Sequence, residues 1–232
     1  MRKVLSGSQL TFAALSCVFL TGCLLRTATV SPRHFVLAPM PADEPSSTPN
    51  SHWSVEIGFV KMPASLLRDS IAVRTGPTEI QYLENALWAE RLDKSFQRAL
   101  VADLSHSFAS AEIQPADFQR RDHALEEEAY PKPPPVESQG GPKMVRIQVH
   151  VEQFDVDTRG HGQLIAKWRI ISRDSNLLLK SGNTSVTRAE TLARGDPQAV
   201  ARNMSLLTAE FSDELARSIS GVVNVEAISP SK

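Results

Sequence analysis

Apolar positions recur every second residue in some stretches of this chain and every third or fourth in others, and the two periods lay out its elements. Arg33–Leu37 and Trp53–Met62 read as strands, the second alternating Val55, Ile57 and Phe59 against Ser54, Glu56 and Gly58. Ser70–Arg74 and Thr78–Leu83 read as a hairpin around Thr75-Gly76-Pro77, with Ile71 and Val73 facing Ile80 and Tyr82. The period then lengthens. Leu92, Phe96, Ala99, Leu100, Leu104 and Phe108 fall on one side of a helix over roughly Ala89–Phe108, and Ala111–Gln114 reads as a short strand after it.

The second half predicts a three-strand meander closed by a helix. Met144–Val156 places Val145, Ile147, Val149 and Val151 on one face, then changes phase at Phe154 and Val156, the mark of a bulge. Asp157-Thr158-Arg159-Gly160 makes the turn into Gln163–Ser172, whose Leu164, Ala166, Trp168 and Ile170 share a face. Arg173-Asp174-Ser175-Asn176 leads into a third strand, Asn176–Arg188. The last helix spans about 197–220, with Asp196 as N-cap, Pro197 in the first turn, and a stripe of Val200, Met204, Leu207, Phe211, Leu215 and Ile219. The expected fold class is α/β: a single domain over 33–222, a mixed β-sheet packed with two main amphipathic helices, and a tail at 223–232. Residues 41–51 and the charged, proline-rich stretch 119–143 interrupt the pattern and read as loops, the longer one mobile.

One apolar run obeys neither period. Leu10–Leu20 follows Arg2 and Lys3, carries no charge, and is 11 residues long, which suits an export signal and falls short of the roughly 20 residues that span a bilayer. It ends in Leu20-Thr21-Gly22-Cys23, a lipobox. The signal peptide is therefore 1–22, cleaved between Gly22 and Cys23, with lipid attached to Cys23. Leu24 stands at the position after the lipidated cysteine, where the sorting rule of enteric-type bacteria sends a chain without Asp to the outer membrane. Residues 24–32 then form a tether of nine residues, with a reach of about 30 Å.

Composition narrows the functional classes. Without residues 1–22 the chain carries 23 Lys and Arg against 26 Asp and Glu, a net charge near −3 that gives no reason to expect nucleic acid as a partner. Cys17 leaves with the signal and Cys23 is taken by lipid, so stability rests on core burial without a disulfide. The six histidines (34, 52, 106, 123, 150 and 161) show no metal-ligand spacing. His150 and Glu152 share a strand face, best read as solvated, and Glu126-Glu127-Glu128 is a solvated charge run. Gly160-His161-Gly162 is a turn. The sequence holds no nucleophile elbow and no phosphate-binding loop. It predicts no enzyme, no cofactor and no metal site. Trp53 and Trp168 fit strand interiors, while Trp88, placed just before the first helix, either staples the helix entry or faces a partner.

The stretch Met62–Leu104 carries a denser pattern in Pro63, Leu67, Arg68, Asp69, Arg74, Tyr82, Trp88, Ala89, Glu90 and Leu92. Together with the lipobox and the His34-Phe35-Val36-Leu37 strand, it resembles the auxiliary lipoproteins of ABC-type intermembrane transport systems, the family of the paraquat-inducible protein C lipoprotein. Arg91 stands where that family usually has proline, and the 119–143 stretch is longer than is usual there. The resemblance implies an outer-membrane lipoprotein on the periplasmic side that works with an MCE-domain protein, a permease and an ATPase in lipid transport. It further implies a homo-oligomer and makes Arg68, Arg74, Tyr82 and Trp88 candidates for partner binding. Two other readings stay open at this level: a carrier that holds lipid in a closed apolar cavity of several hundred Å³, and an envelope-assembly lipoprotein.

Overall fold

A computed structural model describes residues 31–39, 53–108, 111–116, 143–189 and 196–228. Gly22, Cys23, the tether up to residue 30, the 41–51 loop and the 119–143 stretch up to residue 142 lie outside the described residues. The strands are β1 (Arg33–Phe35), β2 (Trp53–Ile57), β3 (Ser70–Gly76), β4 (Glu79–Trp88), β5 (Glu112–Pro115), β6 (Lys143–Val156), β7 (His161–Ser172) and β8 (Leu178–Ala189). Helix α1 is Leu92–Ser107 and helix α2 is Pro197–Ile228. The α/β class and the two helices match expectation, whereas the strands sort into two mixed sheets. One runs β1-β4-β3 and the other β5-β2-β6-β7-β8.

Both helices bury the stripe that their period predicts. Leu92, Phe96, Leu100 and Leu104 of α1 and Leu207, Phe211 and Leu215 of α2 are each 0 to 1% exposed. They meet the inward face of the five-stranded sheet, where Val145, Ile147, Leu164 and Ile170 are equally buried. Phe96 packs edge-on against Phe154 at 5.3 Å and lies 6.0 Å from Phe211, so three rings fill the centre between sheet and helices. A buried polar link joins the helices, with Ser212 Oγ donating to Asp103 Oδ2 at 3.2 Å. Asp196 caps α2 by accepting from the Gln198 N–H at 3.0 Å. The helix continues to Ile228, eight residues beyond the predicted end.

Phase changes along the strands have structural counterparts. The β6–β7 register shifts between Val151 and Gln153, the expected bulge, so that Val149 and Val151 before it and Phe154 and Val156 after it all point inward. The turn after β6 is an Asx turn. Asp157 Oδ1 accepts the N–H groups of Arg159 and His161 at 2.8 and 2.9 Å, and Gly160 takes φ 91°, a backbone state that favours glycine.

Three local expectations are corrected. Strand β2 ends at Ile57, where Gln97 of α1 donates to the carbonyls of Ile57 and Gly58 at 2.9 and 3.1 Å. The chain then meets β6 at Gly58, whose N–H donates to the Ile147 carbonyl, and at Lys61, which bridges to His150. Its alternation also conceals a strand buried on both faces, with Ser54 at 1% and Glu56 at 5% exposure, since β2 lies between parallel neighbours β5 and β6. In the hairpin, irregularities flank the middle of β3, and the pairs are Ala72 with Tyr82, Val73 with Gln81 and Arg74 with Ile80.

The residues after β1 bind the domain's start to its helices. Leu37 N–H donates to Ser95 Oγ of α1 at 3.2 Å and Ala38 N–H to Ser205 Oγ of α2 at 3.1 Å, while the Leu37 side chain is 1% exposed.

Candidate functional site

The four predicted partner residues occupy different settings. Arg68 is exposed and places its guanidinium 4.9 Å over the Tyr82 ring, whose hydroxyl donates to the Ser65 carbonyl at 3.0 Å. Arg74 reaches from β3 to the other sheet. Its Nε and Nη2 donate to the two carboxylate oxygens of Asp155 at 3.0 and 2.5 Å, and this bond raises its pKa above the ordinary arginine value. Beside it, Thr158 N–H donates to the Arg74 carbonyl at 3.2 Å. Arg74 is thus a strut between the sheets. Trp88 ends β4 and is 6% exposed, within the core, so the tryptophan weighed as a partner contact offers almost no surface.

A different set of residues forms the most chemically distinctive surface. On the outward face of the five-stranded sheet, pairing register arranges polar side chains in three rows. Gln114, Glu56 and Arg146 make the first, Gln148, Arg169 and Ser181 the second, and Lys61, His150, Lys167 and Asn183 the third. Successive rows are two residues apart along a strand, about 6.6 Å. They line an open groove of about 1580 Å³, whose sides are completed by Phe59, Lys94 and Arg173. Among the described residues, six basic side chains (Lys61, Lys94, Arg146, Lys167, Arg169 and Arg173) line it against a single acidic one, Glu56.

The cations are positioned by their neighbours. Glu56 takes Arg146 Nε at 3.0 Å on one oxygen and pairs through the other with Arg173, so one buried carboxylate orients two guanidiniums. Lys167 pairs with Glu152, which sits at the bulge outside the groove lining. Lys94 lies 5.0 Å over the Phe59 ring; its pKa is lowered by burial first, with Asp93 pulling it up and Arg91 pushing it further down. Arg169 and Lys61 are exposed and carry no ion pair among the described residues. At the β8 end Gly182 is required, since a β-carbon there would stand 2.4 Å from the Trp168 ring. The ring's Nε1 donates to Thr184 Oγ1 at 3.0 Å.

The side chains of this surface carry the chemistry of anion recognition. Among the described residues, no three His, Cys, Asp or Glu side chains gather closely enough to hold a metal ion. No described helix is long and apolar enough to cross a membrane. His150 and Glu152, weighed as a pair in the sequence, both lie beside Lys167, and Glu152 is engaged by it. The alternate basic positions Arg146 on β6 and Lys167 and Arg169 on β7 were visible in the sequence. Their convergence with Lys61 and Arg173 was not, because it depends on strand register.

Comparison with known proteins gives a consistent picture. The family described as the ABC-type transport auxiliary lipoprotein component matches residues 35–216. No curated protein matches the chain. Among solved structures, protein XCC0632 from Xanthomonas campestris, of family DUF330, aligns with a TM-score of 0.64 at 14% identity, covering 85% of this chain and 99% of that one. A second, described as an uncharacterized protein, aligns with a TM-score of 0.59 at 16% identity, covering 82% and 99%. At such identities these likenesses concern the fold alone.

Proposed function

Since this chain belongs to the family of ABC-type transport auxiliary lipoproteins, we propose that it is the docking subunit of an MCE-type intermembrane lipid transporter, anchored to the periplasmic face of the outer membrane by lipid on Cys23. The observation that carries this reading is the family match over residues 35–216, which begins twelve residues after the lipobox cysteine. In this reading the permease and ATPase act at the inner membrane. The MCE-domain protein spans the periplasm, and this lipoprotein, as a homo-oligomer, receives its outer end. The exposed Arg68 stacked on Tyr82 is one candidate contact.

The packing supports docking over lipid carriage. A carrier needs an enclosed apolar cavity. Here Phe96, Phe154 and Phe211 occupy the space between sheet and helices, and the groove of about 1580 Å³ is open and lined mostly by charged and polar side chains. The test is affinity purification of the full-length tagged chain from its own host, in mild detergent. Docking predicts that an MCE-domain protein accompanies it in near-stoichiometric amount. Recovery of the chain with bound phospholipid and without any MCE protein would overturn the proposal in favour of a carrier.

A further inference from the structure

We infer that the cationic groove is a seat for an extended acidic segment of a partner protein, one with carboxylates at alternate positions. This rests on the docking reading and adds the chemistry of the contact. Three observations carry it.

The first is charge. Among the described residues six basic side chains line the groove against Glu56 alone, in a chain whose overall net charge is −1, so positive charge is concentrated on this face. Glu56 is committed to Arg146 and Arg173, while Arg169 and Lys61 remain exposed with no ion pair among the described residues.

The second is spacing. An extended chain places every second side chain on one side, about 6.6 Å apart. The rows repeat at the same interval, and each row supplies a cation: Arg146 in the first, Arg169 in the second, Lys167 in the third. A segment lying along β6 and β7 with acids at alternate residues therefore meets a basic side chain in every row: Arg169 has no ion pair among the described residues, and Arg146 and Lys167 would be shared with Glu56 and Glu152. Gln148 on the β6 side and Ser181 and Asn183 on the β8 side flank them as partners for its backbone.

The third is size. The groove, at about 1580 Å³, exceeds the roughly 300–1,000 Å³ of small-molecule pockets. Its cations are spread over several elements, whereas a single phosphate group is bound by donors that converge on one point.

The experiment titrates a fluorescein-labelled (Glu-Thr)5 peptide into the full-length chain in non-ionic detergent, following anisotropy at low and moderate salt. The expected result is salt-sensitive binding, weakened about tenfold or more by the pair Arg169→Glu and Lys61→Glu. Arg217→Glu, on exposed α2 surface, should leave affinity unchanged. A peptide with the same residues in blocks, five Glu then five Thr, should bind more weakly than the alternating one. The proposal is overturned if the double variant binds as the parent does, or if (Lys-Thr)5 binds equally. Displacement of the peptide by dihexanoylphosphatidylglycerol at lower concentration than by unlabelled (Glu-Thr)5 would assign the groove to lipid headgroups and overturn it as well. Loss of self-association in the double variant, measured by sedimentation without peptide, would assign the groove to a second copy of the chain and likewise overturn the proposal. Co-purification separates this inference from its premise. If the parent retains its MCE partner and the double variant retains it equally, the groove assignment fails and docking stands; if the parent brings down no MCE protein, docking itself fails.

Discussion

A carboxylate inside a sheet is tolerable only if cations come to it, and Glu56, at 5% exposure, brings Arg146 and Arg173 to the outward face. Its burial was not legible from the alternation of β2, because one of the two arginines that cover it follows β7, far along the chain. Asp157 shows the same dependence on neighbours. Burial alone would push its carboxyl up, but the His161 backbone N–H, the His161 ring and the Arg159 N–H together outweigh this and hold its pKa below the ordinary carboxylate value. A depressed folded-state pKa contributes stability that is fully present above the unfolded pKa, about 3.9, and is lost as pH falls through the lower folded value. Asp157→Asn should therefore be less stable than the parent near neutrality, by about 1 kcal/mol or less given the exposure of the turn. The gap should close below about pH 4. Denaturant midpoints of both proteins from pH 7 to pH 3 check this; a gap that widens on acidification would refute the assignment.

Elements with one wet face were the most readable. The stripes of α1 and α2, the inward faces of β6 and β7 and the bulge after Val151 all follow from period alone, because burial selects side chains geometrically. Where an element depends on a distant partner, the pattern misleads. β2 stops short of its alternation, at Ile57, where Gln97 from α1 and the Ala116 N–H both meet the Ile57 carbonyl. Helix α2 runs past its predicted end, since Val222 and Val223 extend its buried side. At its start the Asp196 cap is a local feature and was visible in sequence. Asp196→Ala removes the acceptor for the Gln198 N–H and should cost about 1 kcal/mol, a melting temperature lower by roughly 2–4 °C for a domain of this size. Differential scanning calorimetry reads this directly, and an unchanged melting temperature would show that the cap is redundant.

At the scale of the molecule, class and helix number were readable, while the division of strands into two sheets was not. It depends on long-range pairings such as β1 with β4, and on the Arg74–Asp155 strut, which no local pattern announces. The candidate site divides in the same way: Arg68 and Tyr82 came from a contiguous stretch, whereas the groove gathers residues from Glu56 to Asn183. Anchoring is likewise a whole-molecule property. Cys23→Ser should move the protein from the outer-membrane pellet to the soluble periplasmic fraction, and continued sedimentation with that membrane would exclude lipid on Cys23 as its anchor. The start of the domain adds a mechanical consequence. Under the proposed anchoring, tension between membrane and partner would reach the domain through β1 and fall first on three residues of strand, two serine-held amides and the buried Leu37. Ser95 and Ser205 belong to different helices, so the pull is divided between both at once, and the leash ends in the core of the domain instead of at its rim.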